Sequence, residues 1–363
     1  MEKYTKEELG CIWVDSFLGL EYKYKTEIVE IFSDCKINDF LQQNKDSLIN
    51  KVGLENYQTL VSSSNKAYLE FVLEGLTSRN IRAVTILSDN YPSALKDIEC
   101  PPLVLYCVGD LKLLNGENFA IVGSRRSLPS SIKLAENFSA ELCSVGFNLV
   151  TGIAEGVDSA VLSATISAGG KPISVIAGGL DNVYPKSNQE LLNKVAKSGL
   201  VIAEYPPETV PKPFHFPVRN RIIAGLSKGV LVISGGIKSG TLHTAEHAEN
   251  QSKTVFAVPY SVGVPSGAGC NELIKRGALL CDSPQDIINF YGKEVKEKSV
   301  SISETERSVL SVLMNGEMHI EKICSALSKQ IFEVTPITLG LEMKGLIYKS
   351  GNVYGLARND LEV

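Results

Sequence analysis

Phe119-Ala-Ile-Val-Gly-Ser-Arg-Arg126 is the stretch whose reading decides the fold. Four apolar residues suited to a buried strand run into a glycine, and polar and basic residues follow at once. The pattern recurs downstream. Short apolar runs, mostly rich in Val and Ile, lie at 119–122, 148–151, 173–177, 200–203, 229–233 and 254–258. Helical stretches near 130–144, 157–168, 188–197, 218–226 and 241–250 separate them. Strands alternating with helices predict an α/β fold with a doubly wound parallel sheet covered on both faces. In such a sheet the turns at the carboxyl ends of the strands line one crevice. Helix N-termini opening into that crevice attract anions, so phosphate is the expected ligand group.

Composition narrows the choices. A chain of 363 residues with 44% hydrophobic content fits two or three domains with proper cores. No apolar run approaches the roughly 20 residues of a membrane span, and Met1-Glu-Lys-Tyr-Thr-Lys-Glu-Glu8 has no signal-peptide pattern. The eight cysteines at 11, 35, 100, 107, 143, 270, 281 and 324 form no CxxC pair. Most have apolar neighbours and read as reduced core thiols of a cytoplasmic protein. The net charge of −5 argues against a broad nucleic-acid surface. The acidic excess falls mainly within residues 1–100, however, and the central segment is near neutral with arginines in its turns. A local basic site is compatible with that distribution.

Three segments follow from the patterning. Residues 1–84 carry apolar residues at helical spacing (Ile12, Phe17 and Leu18; Ile28, Ile31 and Phe32; Phe40, Leu41 and Leu48) and predict a small helical domain. Residues 85–292 form the α/β domain, entered through Pro101-Pro102, which force an extended approach to a strand. A charged linker at 293–300 precedes residues 301–363, where Ser303 caps a first helix with Glu306 at the capping-box position. Helices over 319–327 and 335–344 and two short strands around Gly351-Asn352 complete a predicted winged helix. Its third helix has few basic residues, which favours a protein-interaction or regulatory role over duplex binding. Leu346, Ile347 and Tyr354 are candidates for an apolar wing surface.

The chemistry gathers in the turns. Gly123 allows a tight turn, Ser124 can present its hydroxyl and backbone N–H to phosphate, and Arg125 and Arg126 offer guanidinium forks. Adjacent side chains diverge, so one of the two arginines is expected in the pocket; the alternative is two solvated surface arginines at a turn. Lys186 lies at the mouth of another turn. Arg219, Asn220 and Arg221 open a helix after Pro217, where Asn can read a base edge or brace the loop and arginine supplies charge. The arginines could instead pair internally with Glu204 or Asp181. Ser239, Gly240 and Thr241 begin a further helix, as a phosphate site or as a plain N-cap. His243 and His247 have an i, i+4 spacing used for zinc but no third ligand nearby, so no metal is expected. Gly152, Gly156 and Asp158 do not follow the dinucleotide spacing, and no cofactor is expected.

The residues resemble a known family, the DNA-processing proteins DprA, also called Smf. The resemblance is carried by Tyr91-Pro-Ser-Ala-Leu, Pro102-Leu-Val-Leu-Tyr, Ile121-Val-Gly-Ser-Arg-Arg, Gly152-Ile-Ala-Glu-Gly-Val-Asp and Gly178-Gly-Leu-Asp-Asn-Val-Tyr-Pro-Lys. It continues through Phe216-Pro-Val-Arg-Asn-Arg-Ile-Ile-Ala-Gly-Leu-Ser, Ser239-Gly-Thr-Leu-His-Thr-Ala and Gly269-Cys-Asn-Glu-Leu-Ile-Lys-Arg-Gly-Ala. It implies an extended Rossmann-like sheet between a SAM-like helical domain and a winged helix. It also implies a homodimer that binds single-stranded DNA, protects it and helps load the RecA recombinase during natural transformation. Four positions depart from the family pattern: Glu155, Leu162, Ser234-Gly235 and Tyr260. Most of them are expected around the crevice, where they bear on affinity or ligand. The alternative is a nucleotide sensor or phosphoribohydrolase of the same Rossmann-like superfamily. Thr244 stands where that chemistry places a glutamate, and Glu246 is two residues late, a helical rotation of roughly 200°.

Overall fold

A computed structural model describes residues 4–17, 20, 22–31, 37–64, 66–294, 303–344 and 346–357. Cys35 and most of the expected linker lie outside the described residues. The chain forms two compact units, Met1–Val295 and Lys296–Val363.

The first unit opens with α1 (Lys6–Asp15), α2 (Tyr22–Ile31), α3 (Ile37–Gln43), α4 (Lys45–Val52), α5 (Leu54–Ser62) and α6 (Lys66–Ser78). Thr5 and Glu8 form a capping box at α1, satisfying backbone donors that would otherwise be unpaired. Trp13, Ile28, Phe40 and Leu48 are fully buried and build this layer's core. Trp13 is therefore a core aromatic, with its indole N–H donated to the Ser63 carbonyl at 3.2 Å.

Beyond these helices come β1 (Arg82–Thr85), α7 (Ser93–Lys96), β2 (Val104–Gly109), β3 (Asn118–Val122), α8 (Pro129–Ser144) and β4 (Asn148–Thr151). Then follow α9 (Val157–Ser167), β5 (Pro172–Ile176), α10 (Gln189–Ser198), β6 (Leu200–Ala203), α11 (His215–Gly225) and β7 (Gly229–Val232). The unit closes with α12 (Gly240–Asn250), β8 (Thr254–Ala257), α13 (Ala268–Lys275), β9 (Leu279–Leu280) and α14 (Pro284–Phe290). The strands form one sheet in the order β1-β2-β6-β5-β4-β3-β7-β8-β9. It is parallel from β6 to β9, and β1 and β2 add an antiparallel edge.

Alternate strand residues enter opposite layers. Ala120, Val122, Val230 and Val232 pack toward Leu95, Ile222 and Ala245. Phe119, Ile121, Leu231 and Ile233 pack toward Phe138, Val161 and Ile287. The central parallel strands are thus buried on both faces, which is why their residues read as continuous apolar runs. The six expected parallel strands are present within a residue at each end. β1 straddles the expected boundary at 84/85, and β9, two exposed residues long, is too short for periodicity to show. Lys293, placed in the linker by sequence, instead pairs with Glu117 at 2.9 Å and lies over the Phe147 ring.

α11 starts at His215, three residues before its sequence-based start. Pro217 sits inside the first turn, where its missing N–H has no intrahelical acceptor to lose.

The second unit contains α15 (Glu304–Leu313), β10 (Met318–His319), α16 (Ile320–Leu327), α17 (Ile331–Met343), β11 (Ile347–Ser350) and β12 (Val353–Leu356). The strands order as β10-β12-β11, giving three helices and a wing with one strand more than expected. The Ser303–Glu306 capping box is present. α17 begins four residues before Thr335 because Gln330 and Glu333 form a capping box there, and Pro336 is carried inside the helix. Leu346, Ile347 and Tyr354 are buried in this unit's core rather than forming an apolar surface. Phe332, Leu339 and Met343 on α17 are among the exposed apolar residues of this unit.

Candidate nucleic-acid interface

The strand order reverses between β3 and β7. From β3 the chain winds outward through β4, β5 and β6, then returns to lay β7 on the other side of β3. Turns leaving neighbouring strands in opposite directions open a crevice at their carboxyl ends. A cleft of about 850 Å³ lies there.

The turn after β3 supplies Gly123, Ser124, Arg125 and Arg126 to the lining. Gly123 is required by close approach, since a Cβ there would fall 2.5 Å from a Val157 methyl. Gly156 has φ +80°, and a Cβ on it would meet the Ser124 carbonyl oxygen at 2.5 Å. The loop after β3 and the start of α9 are therefore packed backbone to backbone. Both Arg125 and Arg126 line the cleft and are exposed, although divergence was expected to admit one. They leave an irregular loop, where neighbouring side chains need not point to opposite sides. The Arg125 guanidinium lies 5.1 Å from the Phe216 ring centroid, and Tyr184 meets the same ring edge-on at 5.9 Å.

Ser124 does less for a ligand than its sequence suggests. Its backbone N–H is donated inward to the Ser234 hydroxyl at 3.2 Å, and its own hydroxyl accepts from the Arg126 N–H at 3.3 Å.

Arg219 and Asn220 approach from α11. Both line the cleft yet are buried. Arg219 donates to the Val175 carbonyl and, at 3.2 Å, to the Asn220 side-chain oxygen. Burial pushes its guanidinium down to about 10, opposed by the Asp158 charge, so it remains cationic at neutral pH. Asp158 forms the cleft floor and accepts from the Thr151 hydroxyl at 3.1 Å and the Ala154 N–H at 3.2 Å. Burial pushes its carboxyl up, and Arg219 is the main opposing influence. Asn220 donates to the Gly240 carbonyl at 3.2 Å, bracing the next helix.

That helix, α12, brings Ser239, Gly240 and Thr241 to the lining. Ser239 is its N-cap, accepting from the Thr241 N–H at 3.3 Å, so the capping reading is realised inside the cleft. The N-terminus of α12 faces the same space as the arginines.

Two candidates lie elsewhere. Arg221 points away from the cleft into a buried two-pronged pair with Glu204, with one contact at 3.1 Å. Lys186 is exposed on a short turn outside the lining. His243 lines the cleft and binds Glu246 at 3.1 Å, and no metal-holding cluster occurs among the described residues. Pattern reading missed Phe216, Tyr184 and Asp158 as lining groups. The aromatic positions flanking Pro185 and Pro217 were the available signal.

None of the four departures lines the cleft. Leu162 is fully buried beside Cys11 and Leu76, Glu155 accepts from Ser187 at 3.2 Å, and Ser234 and Tyr260 lie behind the Arg125 loop. Leu162 is turned into the core by the packing of α9, whereas Glu155, Ser234 and Tyr260 follow strand ends but are engaged by neighbouring loops rather than facing the cleft.

The profile of the family described as DNA recombination-mediator protein A matches residues 82–292. DNA processing protein DprA of Bacillus subtilis is 41% identical over 64% of this chain and 77% of its own length. Protein Smf of Escherichia coli is 33% identical over 81% and 82%. The crystal structure of DNA processing protein A from Streptococcus pneumoniae superposes with a TM-score of 0.68 at 32% identity, covering 79% of this chain and 98% of that one. The same protein from Helicobacter pylori, solved for its single-stranded-DNA binding mode, gives 0.53 at 32% identity over 58% and 95%. With the cleft at the expected switch point and the family's motifs around it, the chain belongs to the DNA recombination-mediator protein A family.

Proposed function

We propose that the protein binds single-stranded DNA in the crevice between the β3 and β7 turns and acts as a non-enzymatic recombination mediator. The carrying observation is the juxtaposition of Arg125, Arg126, Arg219 and the α12 N-terminus with the Phe216 and Tyr184 rings in one cleft. Cations and helix N–H groups suit a phosphate backbone, and aromatic faces suit unpaired bases, whose π-faces a duplex keeps stacked. Three arginines against one buried, partnered carboxylate make the cleft locally cationic despite the net charge of −5. Family membership extends the reading to protecting incoming DNA in the cytoplasm as a homodimer and passing it to the RecA recombinase. Lys186 is assigned to the outer path of the strand. Arg221 contributes by holding α11.

Fluorescent oligo-dT is expected to bind more tightly than a duplex of equal length. Its log affinity should fall by about 0.7 per neutralised phosphate for each unit of log salt. Equal duplex binding, or no oligo-dT binding at low salt, refutes the proposal.

The phosphoribohydrolase reading rests on Ser234-Gly-Gly-Ile-Lys-Ser-Gly-Thr-Leu-His-Thr244, which resembles a Gly-Gly-x-Gly-Thr turn. Thr244, not a glutamate, lines the cleft, and Glu246 is outside the lining and paired with His243. Nucleoside monophosphates are therefore expected to release no ribose phosphate. Turnover abolished by Glu246→Gln would reverse the assignment.

A further inference from the structure

Two hydroxyl residues outside the cleft fix the loop that carries Arg125. Ser234 follows the end of β7 and is fully buried. Its hydroxyl accepts the Ser124 backbone N–H at 3.2 Å and bonds the Ser127 hydroxyl at 2.9 Å. Ser127 in turn donates to the Ser124 carbonyl at 2.9 Å. One buried side chain thus holds the first part of the loop through both a backbone donor and a side chain. The far end has a second anchor. The Tyr260 hydroxyl donates to the Ile233 carbonyl at 2.8 Å and lies 2.9 Å from the hydroxyl of Ser131, which is buried in the first turn of α8. Tyr260 is itself fixed by Asn271, which accepts its N–H at 3.0 Å and donates to its carbonyl at 2.9 Å.

The two anchors stand on consecutive residues at the end of β7, Ser234 by its own side chain and Ile233 by its carbonyl. The loop from Ser124 to Ser131 is therefore clamped at both ends to the neighbouring strand across the switch point. Arg125 and Arg126 project from the clamped interval. We infer that Ser234 and Tyr260 are positioning residues that hold the Arg125 loop in the shape that receives a phosphate, an assignment that rests on the proposed crevice binding. Neither residue touches the ligand. Their contribution comes from ordering the loop in advance, so that binding does not have to freeze it.

A double-mutant cycle in the full chain separates positioning from general destabilisation. Tyr260→Phe removes only the hydroxyl, and Ser234→Ala is an independent variant at the other anchor. Each is expected to weaken oligo-dT binding about three- to tenfold, the loss of one ordinary hydrogen bond's worth. In an Arg125→Ala background the same changes should have little further effect, because the residue being positioned is gone. Hydrogen exchange of the ligand-free protein should accelerate over residues 123–131 and nowhere else. Faster exchange with no oligo-dT binding by the wild type would sink the crevice reading and keep the clamp. Unchanged exchange, or affinity losses that add fully to that of Arg125→Ala, would overturn the inference.

Discussion

Arg221→Met is expected to remove roughly 3–5 kcal/mol of stability at neutral pH, the usual consequence of stranding one member of a buried ion pair. Glu204 and Arg221 have side chains 11% and 7% exposed, so water reaches neither well. Without the guanidinium, the Glu204 carboxylate keeps its burial and loses its main opposing charge. Burial pushes this carboxyl up. A raised folded-state pKa favours the protonated form, so its stabilising contribution is full below the unfolded value near 4.3 and fades as pH rises through the folded value. The variant's deficit should therefore be smaller at pH 5 than at pH 7.5. Denaturant unfolding followed by Trp13, the chain's single tryptophan, reports on the relevant unit. A deficit under about 1 kcal/mol, or one independent of pH, would show that the pair is not what holds α11.

Arg125→Ala should weaken oligo-dT binding by about 1–3 kcal/mol, or roughly five- to 150-fold, as expected for a charge-assisted contact to phosphate. Stability should scarcely change, because Arg125 is exposed and packs against the Phe216 face. Lys133→Ala, an exposed cation on α8, is the control for bulk charge. Arg125→Lys should recover only part of the loss, since an ammonium keeps the charge but not the planar fork that also stacks on a ring. Equal, small effects at 125 and 133 would make Arg125 a surface charge.

The parallel sheet was legible because its central strands are buried on both faces and so read as unbroken apolar runs. The crevice was legible for a related reason. Polar and basic residues in the turns after those runs, at 123–126 directly and at 239–241 a few residues on, mark the strand ends where ligands bind. What stayed hidden depends on contacts distant in sequence. Arg219 and Arg221 are two residues apart on one helix, and only the position of β6 sends Arg221 to Glu204 while Arg219 meets the cleft. Ser124 looked like a donor to ligand because nothing local shows that Ser234, after the neighbouring strand β7, takes its N–H. The antiparallel edge was missed because β1 follows helical patterning without a clear turn.

That antiparallel edge carries one more consequence. Asp15, at the end of α1, accepts from the Lys25 ammonium at 3.0 Å and the Tyr106 hydroxyl of β2 at 2.9 Å, all three being buried. Cys11, Ile12 and Leu76 share one core with Val104, Tyr106 and Val201. The helical segment is therefore part of the sheet's own envelope and not a detachable module. Trimming it away would leave the Tyr106 hydroxyl without its acceptor and bare an apolar sheet face beside an open strand edge, a combination that favours aggregation over a smaller working protein.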